Sequence, residues 1–184
     1  MLTIPKSFFE RSSVIVAKEL IGKQIIRNLP DGSKLAMIIT ETEAYGGEED
    51  LASHARFGRT ERNSIMYADA GVWYVYLIYG IHEMLNVVTG TVNKPGAVLI
   101  RAGVFNNKKI AKGPGVVTRE FGITRELYGK SAIRNSPLVI RDSRLKILKK
   151  LIVSGPRVGV DYAGKWKDKP WRFVLDPKEL FKMN

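Results

Sequence analysis

Apolar side chains recur at helical spacing near the start of the chain. They are Val14, Val16, Ala17, Leu20 and Ile21. Ser12 or Ser13 can cap the first turn, because a serine hydroxyl accepts a hydrogen bond from one of the unpaired backbone N–H groups there. Gly22 can take the left-handed backbone conformation that commonly ends a helix. The pattern therefore predicts a short amphipathic helix that stops at Gly22.

Later apolar runs have the lengths and boundaries of β-strands. Residues 23–27 form the first run and residues 35–45 the second, with the turn signal Pro30-Asp31-Gly32 between them. These two strands are therefore expected to pair antiparallel. Further strands are predicted at residues 73–78, 84–89, 97–102, 138–141, 157–160 and 171–175.

Two more segments complete the predicted order of elements. A helix is expected to begin near Lys112 or Gly115 and to end by Gly122. Glycine and charged residues dominate residues 46–58, which are interpreted as an exposed loop. Together the elements predict one compact domain over residues 1–184, of the α+β class, with a mainly antiparallel sheet.

Composition agrees with a globular domain and excludes several kinds of chemistry. A chain of 184 residues can bury a core without disulfides, and 45% hydrophobic with 26% charged residues is usual for globular proteins. Cysteine is absent, which excludes disulfides, thiolate nucleophiles and cysteine-bound zinc. His54 and His82 are the only histidines, so no metal or other cofactor is expected and hydrolysis would depend on carboxylates.

Charge is distributed unevenly along the chain. Residues 101–184 contain 20 Lys or Arg against 7 Asp or Glu, whereas residues 1–100 contain 10 against 11. Nucleic acid is the natural partner of such an excess, and a solvated basic surface without a partner is the alternative. The first residues do not resemble a signal peptide, and no apolar run approaches the ~20 residues of a membrane span. We therefore expect a cytoplasmic protein with no membrane partner.

The end of the strand predicted at residues 35–45 carries candidate chemistry. Alternate side chains of a strand share a face, so Glu41, Glu43 and Tyr45 should point the same way. Thr42 and Ala44 should point to the other face. Two carboxylates and a phenol would then line one surface. A half-exposed edge strand with charged outer residues explains the same segment.

An aromatic run ends in a tyrosine that a sheet core does not explain. Residues 73–78 alternate as a strand, but Tyr79 is followed by Gly80, which permits a tight bend. The bend would place Tyr79 at a hairpin tip, where its ring could stack on a base or enter a duplex. A tyrosine folded back on its own sheet is the alternative.

Ordered motifs along the chain resemble one known family. They are Glu41-Thr42-Glu43-Ala44-Tyr45, His54, Arg62-Asn63, Met66-Tyr67, Tyr74-Val75-Tyr76, Tyr79-Gly80, Asn86, Arg101, Gly113-Pro114-Gly115, Arg157-Val158-Gly159-Val160 and Pro170-Trp171-Arg172-Phe173. This pattern is similar to that of the 3-methyladenine DNA glycosylases of the alkyladenine, or N-methylpurine, type. The resemblance implies a curved, mainly antiparallel sheet flanked by helices.

The resemblance also implies an activity and its catalytic residues. Members excise damaged purines, such as 3-methyladenine, 7-methylguanine, hypoxanthine or ethenoadenine, from duplex DNA by hydrolysing the N-glycosidic bond. In the family pattern Glu43 activates the water and Arg101 helps to hold it. The set contains no lysine or amino terminus, so a monofunctional enzyme that leaves an abasic site is expected. Glu41 shares the predicted face of Glu43, but the family pattern does not place it in the catalytic set.

Five further residues have implied roles in holding the base. Tyr45 would stack on one face of the extruded base, with His54 and Tyr76 on the other. Tyr79 would fill the gap in the duplex, and Asn86 would disfavour the 2-amino group of normal guanine. The implied partner is duplex DNA that contains damaged purines.

The chain departs from the family pattern in two places. Val116 stands where the family often has a lysine, so one phosphate or pocket contact is in doubt. The long N-terminal extension of animal members is missing, which suggests a prokaryotic enzyme that associates with the nucleoid through DNA binding. A monomer is expected.

Two other functional classes remain open. A non-catalytic nucleic-acid-binding module would keep the basic half and the exposed tyrosine but would not need Glu43 or Arg101. A different carboxylate hydrolase, acting on RNA or nucleotides, could use Glu41 together with Glu43.

Overall fold

The computed structural model describes residues 2–183 as a ten-stranded sheet with four α-helices and several 3₁₀-helices. The strands are β1 Leu2–Thr3, β2 Gln24–Asn28, β3 Lys34–Tyr45, β4 Trp73–Ile78, β5 His82–Val88, β6 Ala97–Phe105, β7 Ile110–Lys112, β8 Leu138–Asp142, β9 Ile152–Gly155 and β10 Arg172–Leu175. The α-helices are α1 Lys6–Phe9, α2 Ser13–Leu20, α3 Pro114–Phe121 and α4 Pro177–Phe181. None of the helices in this part of the chain is long and apolar enough to cross a membrane.

The strands form one curved antiparallel sheet in the order β1-β8-β2-β3-β6-β5-β4. In addition, β7 pairs with β6, and β10 pairs with the second half of β3 and with β9. As predicted, β2 and β3 form an antiparallel pair, with Gln24 opposite Ile38. The α+β class and the single compact domain with a curved antiparallel sheet are therefore confirmed.

The sheet has two differently covered faces, and β3 shows which is which. Thr42 donates a hydrogen bond from its hydroxyl to the carbonyl of Ala17 in α2, at 2.8 Å, so it points to the helical side. The large hydrophobic core lies on that side, with Leu20, Ile100 and Phe121 among its fully buried residues. Glu43 is the next residue along β3 and points to the opposite face.

A smaller cluster covers the opposite face. It consists of Ala55, Met66, Tyr67, Tyr74, Val88 and Ala97. The alternation within strands explains the division, because Val87 and Val98 join the large core whereas their neighbours Val88 and Ala97 join the smaller cluster. The segment between β3 and β4 therefore forms a second layer over the sheet, and the candidate site lies beneath it.

The two predicted helices are present as α2 and α3. Ser12 occupies the N-cap position of α2, although its side chain makes no capping hydrogen bond. α2 ends at Leu20, so Ile21 lies just outside it, and Gly22 follows with a φ of +84°. α3 ends before Gly122, whose φ is +58° and whose N–H bonds back to two carbonyls of the last turn. A glycine at such a C-terminal position relieves the strain of a left-handed backbone.

Two sequence predictions were wrong. Residues 157–160 are not a strand; the strand of this region is β9, Ile152–Gly155. Arg157 instead turns its side chain into the protein to pair with Asp50, and Gly159 has a φ of +74°, which ends extended structure. Residues 46–58 are not simply an exposed loop, because Asp50 and Ser53 are fully buried and a 3₁₀-helix begins at His54.

Candidate active site

A cavity of about 290 Å³ opens on the face of the sheet opposite α2. Six of the seven predicted site residues line it: Tyr45, His54, Tyr76, Tyr79, Asn86 and Arg101. They come from strands β3, β4, β5 and β6, from the β4–β5 turn and from the 3₁₀-helix His54–Phe57. The fold thus brings together residues that are widely separated in the sequence.

Glu43, the seventh predicted residue, lies beneath the cavity and is 0% exposed. Its Oε1 accepts a hydrogen bond from the backbone N–H of Val158 at 2.8 Å. Its Oε2 accepts one from the Tyr45 hydroxyl at 2.8 Å and one from Arg101 Nη1 at 3.4 Å. Burial raises the pKa of Glu43, and Arg101 and the two hydrogen-bond donors offset part of that rise. The carboxylate is therefore held in place while remaining a stronger base than an exposed glutamate.

Arg101 links Glu43 to the second carboxylate of the strand. Its Nε donates to Glu41 Oε1 at 2.9 Å, and its Nη1 reaches Glu43. Arg172 also contacts Glu41, from Nη1 at 3.3 Å. Glu41 and Glu43 therefore reach the same guanidinium, which agrees with the prediction that they share a face of the strand.

Aromatic and imidazole rings form one wall of the cavity. The rings of His54 and Tyr76 lie 4.6 Å apart between centroids, and His54 Nδ1 is 2.8 Å from the Tyr74 hydroxyl. Burial, together with the positive charges of Arg62 and Arg56, lowers the pKa of His54 to about 4. Burial raises the pKa of Tyr76 to about 12. Both side chains are therefore neutral at neutral pH.

Asn86 is buried and rigidly oriented. Its amide nitrogen donates to the carbonyls of Tyr74 and Met84, both at 3.2 Å. These two bonds use both hydrogens of the amide, so the side chain cannot rotate without losing them. The carboxamide is thus a fixed feature of the cavity wall.

Tyr79 occupies the tip of the β4–β5 hairpin, as predicted. The Ile81 N–H bonds to the Ile78 carbonyl at 3.1 Å, which closes a turn with φ values of +53° at Tyr79 and +69° at Gly80. Turns of this kind usually carry Asn-Gly, because a larger side chain is strained in left-handed backbone by roughly 1–2 kcal/mol. Tyr79 is nevertheless 87% exposed, so no packing on the sheet offsets that strain.

An ion pair beside the cavity was missed by the sequence analysis. Asp50 and Arg157 are fully buried side chains joined by two contacts, of 2.6 and 2.8 Å. The Arg157 guanidinium also lies 4.9 Å from the centre of the Tyr45 ring and donates to the carbonyl of Ala44 at 2.9 Å. The pair fixes the end of β3, the segment after it and the backbone that presents the Val158 N–H.

The signals for these groups were weak in the sequence. Asp50 lies in a stretch of glycine and charge that is typical of a loop, and a backbone N–H such as that of Val158 has no sequence signature. Arg62 and Asn63 belonged to the recognised motifs without an assigned role. Arg62 lies 5.5 Å from the Tyr76 ring centre, and Asn63 donates to the carbonyls of His54 and Gly58. Asn63 therefore stabilises the segment that carries His54.

The basic residues of the second half lie on more than one surface. Lys165, Lys167 and Lys169 are exposed and follow in the sequence the segment of Val158 that borders the cavity. A second group, residues 144–150, exposes its cations while Ile147 packs near Gly22 on the helical side. The charge is therefore not confined to the rim of the cavity.

Comparison with known proteins agrees with this geometry. A family model described as methylpurine-DNA glycosylase matches residues 7–179. A protein of Methanocella arvoryzae is 42% identical to this chain, over 94% of the chain and 92% of the relative. Proteins of an Anaeromyxobacter species and of Psychrobacter cryohalolentis are 43% and 42% identical, over 95% and 93% of this chain and 90% and 91% of their own lengths. All three are named "Putative 3-methyladenine DNA glycosylase".

The family match covers far more than half of the chain, and the relatives align along nearly their whole lengths. The resemblance inferred from the sequence motifs is confirmed. The chain belongs to the methylpurine-DNA glycosylase family.

Proposed function

We propose that this protein is a monofunctional DNA glycosylase that removes alkylated purines from duplex DNA, with Glu43 as the general base. One observation carries the proposal. A buried carboxylate lies beneath an aromatic cavity, bound by the Val158 N–H, the Tyr45 hydroxyl and Arg101. A buried base whose pKa is raised has no evident use in a module that only binds nucleic acid.

The cavity suits a base that has left the helix. A base inside a duplex is inaccessible, and extruding it costs a few kcal/mol. Stacking on aromatic side chains contributes roughly 1–3 kcal/mol per base. We infer that Tyr45 covers one face of the base and that His54 and Tyr76 cover the other. The exposed ring of Tyr79 would occupy the gap in the duplex and so offset the lost stacking.

The proposed chemistry uses one base and one water molecule. The water oxygen attacks C1′ of the sugar while Glu43 takes a proton from the water, and Arg101 orients the water. The N-glycosidic bond breaks and its electron pair goes to the purine nitrogen. A purine methylated at N3 or N7 is positively charged, so it leaves as a neutral base without an acid catalyst. The products are the free base and an abasic site.

The electrostatics of the wall favour a cationic base. With a pKa near 4, His54 is neutral at pH 7 and does not repel a positively charged purine. The electron-rich ring faces of Tyr45 and Tyr76 attract it. Hypoxanthine and ethenoadenine are neutral and require a proton on the leaving base, so we expect them to be released more slowly. Asn86, held by two hydrogen bonds, would obstruct the 2-amino group of normal guanine.

A monofunctional reaction follows from the side chains at the cavity. Among the described residues that line it, none is a lysine, so no amine is placed to form a Schiff base with the sugar. Borohydride should therefore fail to trap a covalent complex between the protein and DNA.

Base release from defined substrates tests the proposal. The substrates are randomly methylated DNA and duplexes with hypoxanthine or ethenoadenine, and the proteins are wild type, Glu43→Gln and the surface control Glu10→Gln. We expect Glu43→Gln to lose about 10²- to 10⁴-fold in single-turnover rate while retaining DNA affinity. Unchanged turnover in Glu43→Gln would refute the role of Glu43. Tight binding by the wild type without release from any substrate would instead indicate a nucleic-acid-binding module.

A further inference from the structure

We propose that Glu41 is a positioning residue that orients Arg101 toward Glu43 and keeps Glu43 an effective base. The inference rests on the glycosylase function proposed above and extends it to a residue outside the assigned catalytic set. Glu41 would touch neither the base nor the water. It would act through the guanidinium that the two carboxylates share.

The contacts of Arg101 support different roles for the two carboxylates, with Glu41 orienting Arg101 and Glu43 acting as the base. Nε, the atom nearest the side-chain stem, donates to Glu41 at 2.9 Å, whereas Nη1 lies 3.4 Å from Glu43. The tighter contact is thus the one to Glu41. Because a guanidinium is planar and rigid, fixing Nε toward Glu41 also fixes the direction of Nη1. Without Glu41, Nε loses its partner and Arg101 is free to bind Glu43 more closely.

The pairing of the sheet is irregular at Glu41. The pairing of β3 with β6 shifts register on both sides of Glu41: Ile39 is opposite Gly103, Glu41 is opposite Ala102, and Thr42 is opposite Ile100. Such irregularities bend a strand and redirect a side chain, and they are common next to active sites. The irregularity accordingly coincides with the residue that holds Arg101.

A second arginine holds Glu41 from the other side. Arg172 in β10 donates from Nη1 to Glu41 at 3.3 Å and from Nε to the Pro156 carbonyl at 2.8 Å. Pro156 lies two residues before Val158, whose N–H binds Glu43. Both the guanidinium and the backbone donor that bind Glu43 are therefore tied to Glu41 through one network.

The negative charge of Glu41 also affects the pKa of Glu43. The groups that face Glu43 are Arg101 from β6, Tyr76 from β4, Arg172 opposite it in β10, the Val158 N–H, and Tyr45 and Glu41 from its own strand. Burial is the main reason that the pKa of Glu43 is raised, and the like charge of Glu41 adds to the rise. Glu41 thus offsets part of the positive charge of Arg101. Removing it should lower the pKa of Glu43 and make Glu43 a weaker base.

Glu41→Gln, which keeps the size of the side chain, tests the proposal directly. We expect the single-turnover rate at pH 7 to fall on the order of tenfold, because a misaligned and weaker base loses part of the general-base contribution. Duplex affinity should not change. The acid limb of the rate against pH should move to lower pH. Glu10→Gln, which removes a surface carboxylate, should change none of these quantities.

A measurement that does not require base release can test the role of Glu41 independently of the proposed function. Carbon-detected NMR can follow the Glu43 carboxyl group, and proton-nitrogen NMR can follow the Arg101 Nε–H. In Glu41→Gln we expect the Glu43 titration to move to lower pH and the Arg101 Nε–H to lose its protection from exchange. These changes would support the role of Glu41 even if the wild type released no base. An unchanged Glu43 titration and an unchanged Arg101 signal would overturn it.

Arg172→Gln provides a second variant if Glu41→Gln does not fold. Arg172 binds Glu41, and no hydrogen bond joins it to Glu43 among the described residues. Its removal leaves the Glu41 charge less neutralised and takes away a positive charge opposite Glu43, so the Glu43 titration should move to higher pH, opposite to the effect of Glu41→Gln. A shift in the same direction in both variants, or none in either, would show that Glu41 is only a structural cross-strand partner.

Discussion

Two buried carboxylates pair with arginines on either side of Tyr45, and they are held in different ways. Asp50 accepts four hydrogen bonds: two from Arg157, at 2.6 and 2.8 Å, and two from backbone N–H groups of Gly46 and Ala52. Glu43 accepts three, one of them from Arg101 at 3.4 Å. One pair is bidentate, and the other is a single longer contact beneath the cavity.

The difference separates a structural ion pair from a reactive one. The oxygens of Asp50 are occupied by the groups that close the segment after β3, so this carboxylate stabilises the fold. Glu43 is desolvated without full compensation, which raises its pKa and costs stability. Active sites commonly retain such unfavourable groups, because the same desolvation makes them reactive.

Changing each of the two carboxylates to its amide should affect the free energy of unfolding differently. Asp50→Asn leaves Arg157 buried without its counter-charge, and we expect the free energy of unfolding to fall by about 3–5 kcal/mol. The raised pKa of Glu43 means that its protonated form is favoured in the folded state, a contribution lost as pH rises through that pKa. At pH 7 Glu43→Gln should therefore be as stable as the wild type or more stable. Urea unfolding at pH 7 measures both.

The matched change from acid to amide controls for size in both variants. Loss of similar stability in Asp50→Asn and Glu43→Gln would contradict the distinction between the two pairs. Activity gives a second check. Asp50→Asn should reduce base release in proportion to lost folded protein and misplaced Tyr45, whereas Glu43→Gln should reduce it about 10²- to 10⁴-fold in a fully folded protein.

The hairpin tip shows the same conflict between stability and function, with smaller expected changes in free energy. Tyr79 is strained and exposed, so the fold does not require a tyrosine there. In Tyr79→Asn the turn receives its preferred Asn-Gly sequence, and stability should rise by up to about 1 kcal/mol or stay unchanged. Affinity for a lesion duplex should weaken about 5- to 150-fold, which corresponds to ~1–3 kcal/mol of lost stacking. Thermal unfolding and fluorescence anisotropy provide the two measurements.

Tyr79→Phe separates the ring from the hydroxyl. It keeps the stacking surface at the same backbone position, so it should bind the duplex as the wild type does. If Tyr79→Asn bound equally well, the tyrosine would have no role in the duplex and its strain would need another explanation.

Regular patterning explains why much of the fold was predictable. α2 and α3 have apolar stripes ended by glycines with positive φ, and β2 and β3 flank a turn with a Pro-Asp-Gly signal. Alternation along β3 also predicted that Glu41 and Glu43 share a face, which their common contact with Arg101 confirms. These features depend on local sequence, so they can be recognised without tertiary information.

The two wrong predictions, for residues 46–58 and 157–160, have one physical cause: a pairing between residues far apart in the sequence. Asp50 and Arg157 are 107 residues apart, and each resembles a surface residue until the other is present. Their pairing buries a segment that reads as an exposed loop and turns residues 157–160 away from strand geometry. The same pairing brings the Val158 N–H to Glu43. The family motifs identified the cavity residues, but only the fold shows how their orientation is maintained.

Of the residues considered, His54 should have the smallest effect on stability, and this effect should depend on pH. Its pKa is lowered from 6.5 to about 4 in the folded protein, so the unfolded chain binds more protons between these values. The stability that neutral His54 provides is therefore present above pH 6.5 and lost as pH falls toward 4. We expect the loss of thermal stability between pH 7 and pH 5 to be smaller in His54→Gln than in the wild type.

The two histidines of the chain provide an internal control for this effect. His82 is exposed and does not line the cavity, so His82→Gln should retain the pH dependence of the wild type. Protonation of Glu43 acts in the opposite direction over part of the range, but it is common to all three proteins and cancels in the comparison. Equal slopes in wild type and His54→Gln would mean that His54 is hydrated enough to titrate normally. The cavity wall would then carry a positive charge below pH 6.5, and it would repel the cationic purines that the site is proposed to attract.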